Sequence, residues 1–169
     1  MEHLVTRSYQ QLAEALGKAV GASRRTPRAR VRLIVAAYRD WALRYRRRYA
    51  MLFGERAQDL PNEVITQTPL DQAMALLIDL LTAVADTAPA DGGTGDRTLD
   101  GQLRIWARRQ MRPEATPRAG HAAIVIWTRV HGIVSLELTG MFDNQSIDVQ
   151  RLIDLEIDSA IELLGPVNP

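Results

Sequence analysis

Apolar residues recur every three or four positions along most of the chain, the spacing that places them on one face of an α-helix. The first such stripe consists of Met1, Val5, Tyr9, Leu12 and Leu16. Gly21 marks its end, and Thr26–Pro27 then provides a cap followed by proline at the first helical position. From there a second stripe continues to Gly54. The sequence therefore predicts two helices that end at Gly21 and Gly54.

Two shorter helices are predicted in the middle of the chain. Thr68 followed by Pro69 repeats the start signal, and an apolar pattern runs over residues 70–84. Residues 89–96, which are rich in Gly, Pro and Asp, form a predicted loop. A shorter helix is then expected from Leu99 to Met111.

The last two predicted helices are long and apolar on more than one side. Thr116–Pro117 opens the first, over residues 119–142, and Ser146 caps the second, over 148–164. A terminal helix of a small domain needs only one apolar face, so a second face predicts a partner subunit. Candidate interface residues are Gly132, Ser135, Gly140, Leu152, Leu155 and Leu163. We expect an all-α, orthogonal helical domain of about six helices, whose last two helices form a four-helix bundle in a homodimer.

Composition sets the broad class of the protein. The 169 residues, 46% apolar and 24% charged, suffice for one domain over residues 1–169. The absence of cysteine excludes a disulfide framework and thiolate chemistry. No apolar run approaches the roughly 20 residues of a membrane span, and no signal peptide is visible. We expect a cytoplasmic protein with no membrane partner.

Charge is distributed unevenly along the chain. Residues 1–56 contain 12 Arg and one Lys against four acidic residues, a net charge of +9. Residues 57–169 contain eight Arg against 16 acidic residues, a net charge of −8. Either the basic first third faces a polyanion, or the arginines pair with acidic residues of the later part and line solvated helix faces. The sequence leaves both interpretations open.

Motifs for catalysis are absent from the sequence. There is no phosphate-binding loop, no HExxH and no Glu-x-x-His pair, so we expect no enzyme, no metal and no cofactor. His131 alone of the three histidines lies in the middle of an apolar helix. With Ser135, Glu137 and Arg129 it could form a buried polar network, or His131 and Glu137 could point into a cavity.

Aromatic residues are concentrated in the second predicted helix, which holds five of the nine in the chain. With methionines they can line an adaptable apolar pocket, although an ordinary core explains them equally well. The candidate pocket residues are Tyr38, Trp41, Tyr45, Met74, Trp106, Trp127, His131 and Glu137.

The stretch WTRVHGIVSLELTG, residues 127–140, resembles a Trp-x-x-x-His-Gly signature in the C-terminal domain of TetR-family transcriptional regulators. AYRDWA at 37–42 and MLFG at 51–54 are similar to an upstream segment of the same domain. The resemblance spans most of residues 28–165. It departs from the family at Arg46, where many relatives have a proline that breaks the second helix.

The resemblance implies a domain that binds a small, largely apolar effector and dimerises through its last two helices. Trp127, His131 and Gly132 would then contribute to both the pocket wall and the dimer interface. DNA would be bound only through an N-terminal helix-turn-helix, which is not present here. A free-standing helical homodimer that carries a hydrophobic molecule is the alternative function.

Overall fold

The structure is a computed structural model that describes residues 2–21, 24–54, 69–85 and 93–165. Within these ranges the chain forms helices and no β-strand, so the all-α prediction is confirmed. No described helix has the length and hydropathy needed to cross a bilayer. The helices are α1 (Glu2–Gly21), α2 (Pro27–Arg44), α3 (Arg46–Phe53), α4 (Pro69–Ala85), α5 (Arg97–Arg109), α6 (Pro117–Leu138) and α7 (Val149–Glu162).

The second predicted helix is divided in two, which raises the number of described helices from about six to seven. Tyr45 leaves the helical conformation, with φ −121° and ψ 48°, and separates α2 from α3. Its carbonyl oxygen accepts from the backbone N–H groups of Arg48 and Tyr49, which starts α3 without a proline. The chain therefore breaks immediately before Arg46, the position at which the family resemblance implies a proline.

Helix starts agree with the sequence at two of the three predicted caps that can be compared. The hydroxyl of Thr26 accepts from the backbone of Ala29, and that of Thr116 accepts from Ala119. The third prediction, Ser146, is wrong because that residue has φ 51°, and Asp148 caps α7 instead. Thr68, the cap predicted for α4, lies outside the described residues.

The end of α6 also differs from the prediction. The helix stops at Leu138 instead of Phe142, since Gly140 adopts φ +81° in the turn that follows. A side chain at Gly140 would also bring its Cβ to 2.9 Å from the Asp143 carboxylate. Local turn geometry thus explains this glycine.

Helix α6 lies at the centre of the fold, because α2, α4, α5 and α7 all pack against it. Its small residues allow this close approach: Ala119, Ala122 and Ala123 are completely buried. Helix α6 is apolar around most of its circumference because helices of the same chain cover several of its sides.

Ion pairs connect the basic and acidic parts of the chain. Asp158 on α7 accepts from Arg28 at 3.0 Å and from Arg32 at 2.5 Å, both on α2. Arg39 binds Glu137 on α6. Pairing between the two parts therefore accounts for three arginines of the basic first third. Burial would raise the pKa of Asp158, but the hydrogen bonds from Arg28 and Arg32 outweigh it and lower that pKa.

Candidate functional site

An apolar cleft lies between four helices in the interior of the protein. It measures about 400 Å³ with its open mouth, whereas the cavity itself has a volume of about 30 Å³. About 15 Å³ accommodates one water, so this space is too small for an organic ligand unless side chains move. The lining residues are Leu16 on α1, Ile34, Val35 and Tyr38 on α2, Ala73, Met74 and Leu77 on α4, and Ile126, Trp127 and Val130 on α6.

The wall of this cavity carries no charged side chain. The only hydroxyl among the lining residues belongs to Tyr38, and it is directed to His131 at 2.9 Å. An ionic ligand would lose its hydration here without gaining a counter-charge, which is strongly unfavourable. The cavity is therefore suited to a neutral, apolar molecule.

A hydrogen-bonded cluster adjoins the cavity through Tyr38. Nδ1 of His131 lies 2.9 Å from the Tyr38 hydroxyl and 3.2 Å from the Tyr49 hydroxyl. The Tyr49 hydroxyl in turn lies 2.6 Å from Oγ of Ser135. These contacts join α2, α3 and α6. Tyr49 connects His131 to Ser135, and no direct hydrogen bond between those two is found among the described residues.

Aromatic rings enclose His131 on several sides. The imidazole is stacked on Tyr49 with a centroid distance of 5.7 Å and on Trp127 at 5.5 Å. Phe53 approaches it edge-on at 5.0 Å. Since Trp127 also lines the cavity, a ligand that moves its indole would disturb the packing of His131.

Burial controls the protonation of this cluster. Desolvation lowers the pKa of His131, because the surrounding rings disfavour the charged imidazolium. Burial also raises the pKa of Tyr38, and the neighbouring Tyr49 adds to the effect. Both shifts favour the uncharged forms of His131 and Tyr38, and a neutral imidazole can accept a hydrogen bond at Nδ1.

Three of the eight candidate pocket residues line the cavity: Tyr38, Met74 and Trp127. His131 stands behind this wall, in contact with two of them. The other four lie elsewhere. They are Trp41, Tyr45, Trp106 and Glu137.

The three aromatic candidates outside the cavity pack in the core or against neighbouring helices. Trp41 is buried in the core, where its indole N–H has no hydrogen-bond partner among the described residues. Tyr45 lies at the break between α2 and α3, beneath the guanidinium groups of Arg44 and Arg48. Trp106 packs against Gly120, where a Cβ would lie 3.6 Å from its ring.

Glu137 forms a two-pronged ion pair instead of entering the cavity. Its carboxylate accepts from Nε of Arg39 at 2.8 Å and from Nη2 at 2.6 Å. The Glu137 hydrogen bond raises the pKa of Arg39. The predicted partner, Arg129, binds Glu156 on α7 at 2.8 Å. The pairing proposed between Arg129 and Glu137 is therefore wrong.

The candidate interface residues divide into two groups. Leu155 and Leu163 are exposed, Leu152 is half-buried, and nothing lies within 4 Å of the position that a Cβ of Gly132 would take. Ser135, by contrast, is directed inward to Tyr49. Gly140 is required by its own turn. An outward-facing surface thus includes the first four but not Ser135.

Tyr49 and Arg39 were absent from the candidate site residues, although the structure places both in its polar contacts. Tyr49 lies eleven residues after Tyr38, close to three helical turns, so helical spacing alone would put both on one face. No comparable signal existed for Arg39, because several arginines of α2 could reach an acid. Among the described residues, no three His, Asp or Glu side chains converge to hold a metal ion.

Comparison with known proteins agrees with this architecture. The crystal structure of SCO4313, a protein with a proposed regulatory role, superposes with a TM-score of 0.71 at 26% identity. The match covers 94% of this chain and 70% of that chain. No curated protein is similar enough in sequence to count as a match. Residues 31–160 match the family model of the tetracyclin repressor-like C-terminal domain, and the chain therefore belongs to that family of regulator domains.

Proposed function

We propose that residues 1–169 form one effector-binding and dimerisation domain of a cytoplasmic TetR-like repressor, released from DNA by a small, neutral, apolar ligand. The observation that carries this proposal is the uncharged cavity, whose wall residues Tyr38 and Trp127 also contact His131. The cavity is too small for a ligand in its present form. Binding would therefore require a wall residue to move, and a ligand that prefers the moved state shifts the population toward it.

The exposed apolar surface supports a homodimer. Five of the eight large apolar side chains that are exposed among the described residues lie between positions 136 and 163. They are Leu136, Met141, Ile147, Leu155 and Leu163. Their concentration within residues 136–163 supports an interface, because exposed apolar side chains that cluster on a protein surface are typical of sites of association. Gly132 would allow the backbone of a second copy to approach closely.

A binding experiment tests the cavity. The fluorescence of N-phenyl-1-naphthylamine, a neutral apolar probe, is titrated against the wild type and Ala73→Leu, which fills the cavity. Ala83→Leu is the matched control, since it makes the same change at an exposed position of the same helix. We expect about tenfold weaker binding for Ala73→Leu alone. Equal binding by all three proteins would exclude the cavity as the site.

Sedimentation equilibrium tests the dimer. Leu155→Glu and Gly132→Leu are expected to yield monomers, while Ile105→Glu, the same kind of change at an exposed apolar residue of α5, leaves the dimer intact. Dimers in all variants would contradict the interface.

Retardation of promoter DNA separates a repressor from the alternative carrier protein. For a repressor, the native gene product retards DNA from its own promoter, and its effector abolishes the retardation. For a carrier, the probe binds but no specific DNA complex forms.

A further inference from the structure

Four arginines surround the break between α2 and α3. Arg44, Arg46, Arg47 and Arg48 line an open cleft of about 350 Å³, together with Leu43 and Tyr45. We call these four residues the arginine cleft. The conformation of Tyr45 ends one helix and begins the next, which places guanidinium groups from both helices around one depression.

Among the described residues, no carboxylate pairs with the arginine cleft. Elsewhere in the described chain, Arg28, Arg32 and Arg39 of α2 each bind a carboxylate. None of the four cleft arginines forms an ion pair with a described residue. Asp40, one turn before Arg44, does not pair with it either. Within the described part of the chain, the four guanidinium groups of the cleft therefore keep their positive charge without a carboxylate partner.

Two of the guanidinium groups are held in place without being neutralised. Those of Arg44 and Arg48 lie over the ring of Tyr45, at 5.9 Å and 5.2 Å from its centroid. Arg48 also donates to the side-chain oxygen of Gln11 on α1. Cation–π contacts fix the direction of a guanidinium and leave donors free for an anion.

The position of these arginines at the start of α3 is electrostatically unfavourable for the stability of the domain. Arg46, Arg47 and Arg48 occupy the first turn of α3, and no acidic residue accompanies them there. The start of a helix has a partial positive charge, so basic residues are unfavourable at this position. The side chains of Arg46 and Arg47 form no hydrogen bond or ring contact with a described residue that would offset this cost, and departures from a local rule of this kind are typical of functional sites.

We infer that the arginine cleft binds a phosphate-bearing anion. Guanidinium groups donate two parallel hydrogen bonds to phosphate oxygens, and several of them together match the charge of a phosphate better than that of one carboxylate. Both a free oligophosphate and the phosphodiester backbone of DNA present this chemistry. The inference does not depend on the effector cavity, because no residue of the arginine cleft lines it.

Calorimetric titration at low ionic strength tests the arginine cleft, since screening is weak there. Pyrophosphate and a short DNA duplex of arbitrary sequence are each titrated into the wild type and the double variant Arg46→Gln/Arg47→Gln. The matched control is Arg108→Gln/Arg109→Gln, which removes the same charge from adjacent exposed arginines of α5. Circular dichroism verifies that each variant is folded.

Binding of either probe that weakens about tenfold in the cleft variant, but less than about twofold in the control, supports the site. Pyrophosphate binding identifies a free oligophosphate as the source, and binding of the duplex alone identifies a phosphodiester backbone. The double variant Arg46→Lys/Arg47→Lys keeps the charge but loses the paired hydrogen-bond donors of the guanidinium groups. Its affinity for the probe is therefore expected to lie between that of the wild type and that of Arg46→Gln/Arg47→Gln. No binding of either probe, or equal weakening in both glutamine variants, would overturn the inference.

Discussion

Tyr38 and His131 join the apolar cavity to the central helix: the tyrosine hydroxyl lies 2.9 Å from Nδ1 of the imidazole. A neutral imidazole offers one lone pair at Nδ1, so only one hydroxyl can donate to it in full. Tyr49, at 3.2 Å, has Ser135 as a closer partner at 2.6 Å. This arrangement favours Tyr38 as the donor to His131 and Tyr49 as the partner of Ser135.

Acidification is expected to destabilise the protein through His131. Its folded-state pKa is lowered by burial, so the unfolded chain binds a proton at this residue more readily than the folded chain does. The free energy of unfolding should therefore decrease as the pH falls below about 6.5, the ordinary value for histidine. Urea unfolding at pH 7.5 and 5.5 measures the difference. His131→Gln should show a smaller difference, and an unchanged one would assign the pH dependence to other groups.

Hydroxyl deletion measures the contribution of the tyrosine contacts. Tyr38→Phe and Tyr49→Phe each retain the ring but remove a hydrogen bond, and should lower the free energy of unfolding by about 0.5–1.5 kcal/mol. Tyr45→Phe is the control, because no described residue hydrogen-bonds to its hydroxyl, and its change should be close to zero. Denaturant titration provides all three values. A loss for Tyr45→Phe as large as the others would contradict the assignment.

The ion pair between Arg39 and Glu137 should couple α2 to α6. Only 20% of the arginine side chain and 15% of the glutamate side chain are exposed, so removing one partner leaves the other poorly solvated. We expect Glu137→Gln to cost about 1–3 kcal/mol of unfolding free energy. The double variant with Arg39→Met should lose less than the sum of the single changes. Exact additivity in this double-mutant cycle would show that the pair contributes nothing specific.

Helices were predictable here because their apolar spacing and their Thr-Pro starts are local properties of the sequence. Breaks were less predictable. A break in a helix is usually marked by glycine or proline, and neither Tyr45 nor Arg46 is one of these residues. At Gly140 the signal was present, but the small residue was interpreted as a packing feature instead of a turn residue with positive φ.

Pocket residues were only partly predictable, because a cavity depends on how several helices pack. Tyr45 and Tyr49 are one turn apart in sequence, and periodicity cannot decide which of them faces the interior. The break at Tyr45 separates them, so that Tyr45 lies under Arg44 and Arg48 while Tyr49 contacts His131. Ion-pair partners were also not predictable from the sequence, because long side chains such as that of Glu137 have more than one arginine as a candidate partner, here Arg39 and Arg129.

Gly132 provides a test that separates the stability of one subunit from its association. Alanine at this position meets no atom within 4 Å in the single chain, so Gly132→Ala should stabilise a monomeric Leu155→Glu background by about 0.5–1 kcal/mol. In the wild-type background the added methyl group would lie in the proposed dimer interface, so the proposal predicts that dimer dissociation measured by sedimentation increases. Gly17→Ala is the control, as this glycine is exposed on α1 and equally open. Stronger association of Gly132→Ala would show that this glycine does not lie at a close contact between subunits.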